Sequence, residues 1–130
     1  MNDKNEIRQY LNDQLSASGD DTVQIIQSDF DRVLDSAASC ILITLTDTMP
    51  TLAERLRAEL KSLRVKTKQD LILKVCYNPD SELSFDDLYL ILMAAHKFAP
   101  QVNIVWGCGT DARLSAGNFS LLLLIGSSAK

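Results

Sequence analysis

Adjacent carboxylates are the side chains of this 130-residue chain that most resemble a catalytic pair. Asp86 and Asp87 could act as a general acid and a general base. Ser84 precedes them, however, and a serine followed three residues later by an acidic side chain is typical of a helix start. Negative charge is also stabilised at the N-terminus of a helix by the helix dipole. We therefore interpret the two aspartates as part of a helix start.

Cysteine and histidine form no metal-binding or nucleophilic pattern in the sequence. Cys40, Cys76 and Cys108 are far apart, each lies in an apolar run, and no CxxC pair occurs. The single histidine, His96, has no partner at the spacing of a metal site or a catalytic triad. The sequence predicts buried thiols in a reducing compartment, a packed or surface histidine, no metal site and no cofactor.

The remaining polar candidates for a small enzyme site match no recognised catalytic motif; they are Asp29, Asp31, Arg32, Asp111 and Arg113. The sequence also has no GxxxxGK[ST], GxGxxG, GxSxG or HExxH pattern. A net charge of -4 argues against a basic surface for nucleic acid or an anionic membrane. No secretory signal and no membrane-spanning run is recognisable, so we expect a cytoplasmic protein.

Alternating amphipathic and β-branched segments must position these residues. The pattern predicts an N-terminal helix over Asn5 to Ser16, a helical turn at Asp29 to Asp35, and two longer helices over Thr51 to Leu63 and Ser84 to Phe98. Four apolar runs predict strands: Ser39 to Thr46, Asp70 to Asn78, Val102 to Cys108 and Phe119 to Gly126. The order indicates an α/β fold with a mainly parallel sheet and a final antiparallel strand.

Two finer expectations follow from the same pattern. Met93 is assigned to the core with its apolar neighbours on the last helix. Gly107 and Gly109 are expected to end the third strand, because glycine permits tight turns. We divide the chain into an N-terminal amphipathic helix with its connector, residues 1–22, and an α/β domain, residues 23–130.

The last part of the chain resembles a known family. The run Asn103-Ile104-Val105-Trp106-Gly107, then Asp111, Arg113-Leu114 and the apolar run ending at Gly126 resemble, without a gap, the last two strands of the C-terminal domain of FtsZ. FtsZ is the bacterial tubulin-like division GTPase, and its pattern there is of the type NIIFG…D.RL…VTVIATG. Pro79-Asp80 and Leu83-Ser84-Phe85 are similar to the family's PDLSLFE helix entry, with extra residues between them.

The resemblance extends over about Ile7 to Gly126 and implies a fold. It implies a four-stranded mixed sheet in the spatial order first, fourth, second, third, with the fourth strand antiparallel and the two long helices together on one face. The family's nucleotide-binding domain, with its glycine-rich GTP loop, has no counterpart in this sequence. We therefore expect no GTP binding and no GTP hydrolysis.

In the family, a loop of the type NxDxxD completes the nucleotide site of the neighbouring subunit. The corresponding stretch here is VQIIQSDFDRV, and two alignments are open. One places Gln27, Asp29 and Arg32 at the three positions, and the other places Gln24, Ile26 and Asp29 there. Neither keeps both carboxylates, so the resemblance implies no catalytic residue.

Apolar residues at consecutive positions of the first and last strands indicate that both sheet faces need cover. The stripe of the N-terminal helix covers only part of the second face, so we expect a homodimer or a protein partner there. The function expected is a non-catalytic FtsZ-like association module that binds itself, an FtsZ-like filament or another protein. The alternatives are a small-molecule sensor and a small enzyme. The candidate partner contacts are Ile7, Tyr10, Leu11, Leu15, Asp29, Asp31 and Arg32.

Overall fold

The computed structural model describes residues 3–17, 21–23, 27–49, 51–63, 69–81, 83–98 and 103–127. These residues form helices and strands in an alternating order. In chain order they are α1 (Lys4–Ala17), β1 (Asp21–Val23), α2 (Gln27–Ser36), β2 (Ser39–Asp47), α3 (Thr51–Leu63), β3 (Gln69–Tyr77), α4 (Phe85–Phe98), β4 (Asn103–Thr110) and β5 (Phe119–Ser127). No helix among the described residues is long and apolar enough to span a bilayer.

The strands form one mixed sheet in the order β1-β4-β3-β5-β2. β3 and β4 are parallel, whereas β5 lies antiparallel between β3 and β2. This confirms the expected order of the four long strands and the antiparallel direction of the last one. The short strand β1 adds a fifth member at the β4 edge, which the sequence pattern did not indicate because three polar and β-branched residues give no periodicity.

α3 and α4 lie together on the first face of the sheet, as expected. Their apolar stripes, which include Leu56 and Ile91, pack on the inward side chains of β3 and β5, such as Leu73 and Leu123. Fully burying each of these side chains is worth about 1.5–3 kcal/mol. The core on this face contains more buried residues than the core on the second face and is the larger of the two.

The second face is covered by α1 and α2. Ile7 and Leu11 of α1 pack with Phe30 of α2 on Ile72 and Leu124 of the sheet. The helical turn expected at Asp29 to Asp35 is a ten-residue helix, so the cover on this face is larger than one helix could provide. What the two helices leave open is a cleft at one end of the face.

Two glycines behave differently from the expectation. The third strand expected from the sequence is β4, and neither Gly107 nor Gly109 ends it, because β4 continues to Thr110. The two glycines pair with Lys74 and Cys76 of the neighbouring strand β3. Extended backbone is available to glycine as to any residue, so a glycine is not by itself a strand end. The conformation that needs glycine occurs later in the loop, where Gly117 has a φ of 84°.

Candidate functional site

α2 carries the residues that the sequence aligned with the family's acidic loop. Asp31 accepts hydrogen bonds from Arg8 of α1 and from Gln27 Nε2, the latter at 3.0 Å. Arg8 also donates to Asp35 at 2.9 Å, so its guanidinium joins α1 to two carboxylates of α2. Asp31 is therefore engaged in holding two helices of its own chain together.

The neighbouring candidates differ in exposure. Asp29 is half-buried and Arg32 is exposed. Since Arg32 carries a guanidinium, the positions of the first alignment present one carboxylate and not two. Gln24 and Ile26, which belong to the second alignment, lie outside the described residues. The role of these positions in partner binding stays a prediction.

The candidate contacts on α1 mostly face the chain's own core. Ile7 and Leu11 are fully buried against α2 and the sheet. Tyr10 is half-buried and lines the cleft on the second face, while the Leu15 side chain lies outside the described part of the molecule. A partner could reach Ile7 or Leu11 only if α1 moved away from the sheet.

α4 presents an exposed apolar stripe, formed by Phe85, Tyr89 and Met93. Their exposed fractions are 91%, 59% and 44%, and these residues recur every fourth position, which aligns them on one side of the helix. The expectation that Met93 belongs to the core is wrong. The opposite side of α4, with Ile91 and Ala94, already fills the core, so this helix carries more apolar positions than the sheet can bury.

The start of α4 is capped as the sequence indicated. The backbone N–H of Asp87 donates to Ser84 Oγ at 3.1 Å. Asp86 and Asp87 make the first turn acidic, and His96 and Lys97 make the last turn basic. The α4 stripe is thus bounded by opposite charges at its two ends.

A cleft of about 310 Å³ opens on the second face, between α1, α2 and the sheet. Its floor comes from β2, β3 and β5, and one wall is the loop after β4. Its lining comprises Tyr10, Leu11, Gln14, Phe30, Thr44, Thr46, Lys74, Cys76, Asp111, Arg113, Leu114, Ser120, Leu121 and Leu122. Charged, hydroxyl and apolar side chains therefore share this one concave surface.

Lys74 is the most unusual residue of the cleft, because it is only 5% exposed on a central strand. It follows Ile72 by two positions and so lies on the second face, toward α1 and α2. On one side it pairs with Gly107 and on the other with Leu122. Its burial follows from its place on a central strand beneath α1 and α2, which the residue type alone does not indicate.

Asp111 and Arg113 form a clamp at one wall of the cleft. Arg113 Nε donates to Asp111 Oδ1 at 2.9 Å, and Arg113 Nη2 donates to Asp111 Oδ2 at 2.8 Å. The Arg113 side chain also donates to Gln14 Oε1 of α1 at 2.9 Å. The hydrogen bond from Arg113 lowers the pKa of the Asp111 carboxyl, and the positive charge of Lys74 adds to this. The loop is held to β3 by the Asp111 N–H, which donates to the Tyr77 carbonyl at 2.8 Å.

The cysteines divide between core and cleft. Cys40 and Cys108 are buried as expected, whereas Cys76 is half-buried and lines the cleft beside Lys74. His96 is exposed near the end of α4. Within the described ranges, no group of three or more His, Cys, Asp or Glu side chains is placed to hold a metal ion.

Two solved structures of FtsZ from M. jannaschii share this fold. An FtsZ mutant matches with a TM-score of 0.63 at 14% identity, over 84% of this chain and 34% of that chain. An empty FtsZ dimer matches with a TM-score of 0.63 at 16% identity, over 83% of this chain and 32% of that chain. This chain thus spans about a third of the FtsZ chains that it matches.

Sequence comparison adds no closer relative. The sequence matches no protein-family model, and no curated protein is significantly similar to it. The structural likeness confirms the resemblance at the level of the fold, which is that of an FtsZ C-terminal-like domain.

Proposed function

We propose that this chain, which has the fold of the FtsZ C-terminal domain, is a non-catalytic association module that pairs with a second copy of itself through α4. The observation that supports this most strongly is the α4 stripe, Phe85, Tyr89 and Met93, exposed along one side of a helix. Pairing through this stripe would remove its apolar surface from water.

The chemistry of the α4 stripe is that of a protein-binding surface. Aromatic residues and methionine are enriched where proteins meet, and they contribute much of the binding energy at such contacts. Burying apolar surface is worth about 25 cal/mol per Å². Among the large apolar side chains whose burial the structure describes, those outside this stripe are at least partly buried, so the stripe is distinct from the other described surface.

The charges of α4 favour a second copy as the partner. In an antiparallel pair centred on Tyr89, Phe85 of one copy lies beside Met93 of the other. In this register Asp86 lies opposite position 92, and the basic last turn with Lys97 lies about one and a half helical turns further along, about 7.5 Å at the helix rise per residue, so that the long Lys97 side chain can approach Asp86 of the other copy. A two-fold pair uses the same patch on both subunits, and the opposite charges near the two ends of α4 favour its pairing with a second copy in antiparallel orientation.

Variants of α4 test the proposal. Sedimentation velocity of the intact chain over a range of concentrations measures the dimer dissociation constant of each variant. Tyr89→Ser should shift the dimer dissociation constant upward by at least about tenfold, because it removes the centre of the contact. Asp86→Lys should weaken the dimer as well, because it sets two positive side chains against each other. Adding Lys97→Asp to Asp86→Lys should restore much of the lost affinity.

Exposed positions on α3 provide matched controls. Glu54→Lys changes the net charge as Asp86→Lys does, and Arg57→Ser truncates an exposed side chain, yet neither residue lies on α4. A wild-type protein that stays monomeric at high concentration would overturn the proposal. So would a dimer that Tyr89→Ser leaves intact.

The cellular setting that we infer is the cytoplasm, with a role beside FtsZ-like filaments in cell division. The fold supports this setting through its likeness to FtsZ. Binding to an FtsZ filament is the competing mode of association, and co-sedimentation with polymerised FtsZ detects it. Filament binding that Tyr89→Ser abolishes, without a dimer of this chain, would assign α4 to that partner and contradict self-pairing.

A further inference from the structure

We propose that the end of α1, residues 12–17, is a strap that opens and closes the cleft on the second face, and that Arg113 is its latch. The Arg113 side chain donates a hydrogen bond to Gln14 Oε1 at 2.9 Å. Gln14 lies on the α1 wall of the cleft and Arg113 on the wall formed by the loop after β4, so this hydrogen bond joins the two walls. The cleft lies on the opposite side of the sheet from α4, so the strap concerns a different surface from the one proposed for self-association.

The loop after β4 is the fixed side of the latch. Its backbone is joined to β3, because the Asp111 N–H donates to the Tyr77 carbonyl at 2.8 Å. The Asn78 side chain, just after β3, donates to the Leu114 carbonyl of the loop at 2.6 Å. Asp111 accepts from both Nε and Nη2 of Arg113, and a guanidinium held at two of its nitrogens keeps a fixed direction. Arg113 therefore presents a donor of defined position to α1.

The first half of α1 is anchored independently of the latch. Ile7 and Leu11 are fully buried in the second core, against α2 and the sheet. Arg8 adds a polar contact, because its side chain donates to Asp35 of α2 at 2.9 Å. All three residues lie within the first eight positions of α1. These contacts keep the beginning of α1 on the sheet when its end moves.

The end of α1 lies closer to the solvent. Among the side chains that the structure describes there, Asn12 and Asp13 are exposed and Gln14 is half-buried. The Arg113 side chain, on the other side of the latch, is 54% exposed. A hydrogen bond at such a position competes with hydrogen bonds to water, so its net contribution to the closed state is small. Local opening of a helix end also requires less free energy than global unfolding. The latch therefore favours the closed state and still allows the strap to open.

Opening of the strap exposes the floor of the cleft. This floor includes Lys74, which is 5% exposed, and Cys76, which is half-buried on the same face of β3. The closed cleft has a volume of about 310 Å³. With residues 12–17 lifted, molecules too large for the closed cleft can reach the floor. The strap thus sets the size of the molecules that have access to the second face.

Labelling of Cys76 by maleimides of two sizes, measured on the intact chain by mass spectrometry of its peptides, tests this opening. Gln14→Met removes the acceptor of the latch and keeps the length of the side chain. It should accelerate labelling by the bulky fluorescein maleimide about two- to tenfold, the factor that corresponds to one net hydrogen bond. Labelling by the small N-ethylmaleimide should change less. No acceleration, or equal acceleration with both reagents, would overturn the proposal, because a change in thiol reactivity alone affects both reagents equally.

Gln9→Met provides the matched control on the same helix. Gln9 is exposed and donates to Asp13 of α1 at 3.1 Å, so this substitution removes a hydrogen bond within the helix and leaves the latch in place. It should leave the labelling of Cys76 unchanged. Cys40 and Cys108 are buried and report global unfolding in the same samples. Acceleration at all three thiols, or the same acceleration in Gln9→Met, would contradict a local opening at the latch.

A double-variant cycle tests whether Arg113 and Gln14 act as one contact. Arg113→Met should also accelerate the labelling of Cys76 by the bulky maleimide. The effect of Gln14→Met should largely disappear when Arg113→Met is already present, because the donor of the latch is then absent. Effects of the two substitutions that multiply independently would overturn the assignment of Arg113 as the latch. Tyr89→Ser, which disrupts the proposed α4 dimer, should leave the labelling unchanged, so the two proposals can fail separately.

Discussion

Asp111 is the residue whose ionisation the fold controls most directly. It is 8% exposed and is held by the side chain and the backbone N–H of Arg113. These contacts lower its pKa, so the folded state binds its proton less readily than the unfolded state does. The stabilisation is complete above the ordinary aspartate pKa of about 4 and is lost as the pH falls through the lowered pKa.

We predict that Asp111→Asn destabilises the protein by about 1–3 kcal/mol at pH 7, because a buried charged acceptor is replaced by a neutral one. The difference between wild type and variant should shrink as the pH falls from about 4 through the lowered pKa of Asp111, because the unfolded chain takes up this proton more readily than the folded protein does. Urea unfolding at pH 7 and at several lower values measures this. The control is Asp80→Asn, at an exposed position. A difference that does not narrow with falling pH would contradict the prediction.

At the residue scale, the sequence succeeded where the chemistry was local. Ser84 could be recognised as a cap because the groups that it joins lie three residues apart. The exposure of Lys74 and Met93 could not be predicted in the same way, since it depends on how whole elements pack and not on neighbouring residues alone. The burial of Lys74 requires α1 and α2 to close over β3, and Met93 is exposed because other residues of α4 already fill the core.

At the element scale, the packing of α2 against β5 depends on one glycine. A Cβ atom added to Gly126 would lie 2.6 Å from Val33 Cγ1, which is too close without a shift, and 3.0 Å from the Ala37 Cβ, which is tighter than most such contacts. Both neighbours are buried side chains of the second core. The absence of a side chain at position 126 therefore allows the helix to lie on the sheet.

Gly126→Ala should consequently destabilise the fold by about 1–3 kcal/mol, the usual effect of overpacking a core. Val33→Ala should also destabilise, through a lost contact. The double variant should cost less than the sum of the two single changes, because Val33→Ala removes the atom that the new Cβ meets. Denaturant unfolding of the three variants gives the coupling free energy. A coupling near zero would contradict this account of the α2 contact.

The long elements could be predicted from the sequence and the short ones could not. α3 has the bounds expected, β2 and β5 are each one residue longer at the C-terminal end, and β3 begins and ends one residue earlier than expected. Their periodicity is strong because each buries a continuous stripe or run of apolar side chains. For α2 the sequence predicts only a helical turn, because much of QSDFDRVLDS is polar and its three buried side chains form a narrow stripe.

At the scale of the whole molecule, the two sheet faces have different roles in our proposals. The sequence predicted correctly that both faces need cover, but it assigned the second face to one short helix and a partner. α1 and α2 together cover that face except at the cleft. Among the side chains that the structure describes, the exposed large apolar ones lie instead on the outer side of α4, so the expected partner is a proposal for that helix.

The last prediction concerns a mixture of this chain with FtsZ and GTP. In the family that the chain resembles, a loop of the type NxDxxD presents two carboxylates to the nucleotide of the neighbouring subunit. Whichever alignment holds, Arg32 or Ile26 replaces one of them, and neither can orient the attacking water as a carboxylate does. Both charged residues of the first alignment lie on α2, where Arg32 is exposed and Asp29 is half-buried. We expect this chain to bind no GTP tightly and to leave phosphate release by FtsZ unchanged or reduced.

Phosphate release measured at rising ratios of this chain to FtsZ checks the expectation. A reduction would indicate that a docked copy occupies a filament end without supplying the missing carboxylate. The Asp29→Ala variant should then reduce phosphate release to the same extent, because Asp29 alone cannot complete the site. Stimulation of phosphate release that disappears in Asp29→Ala would instead assign a catalytic role to Asp29. That result would contradict the proposal that this chain associates without catalysing.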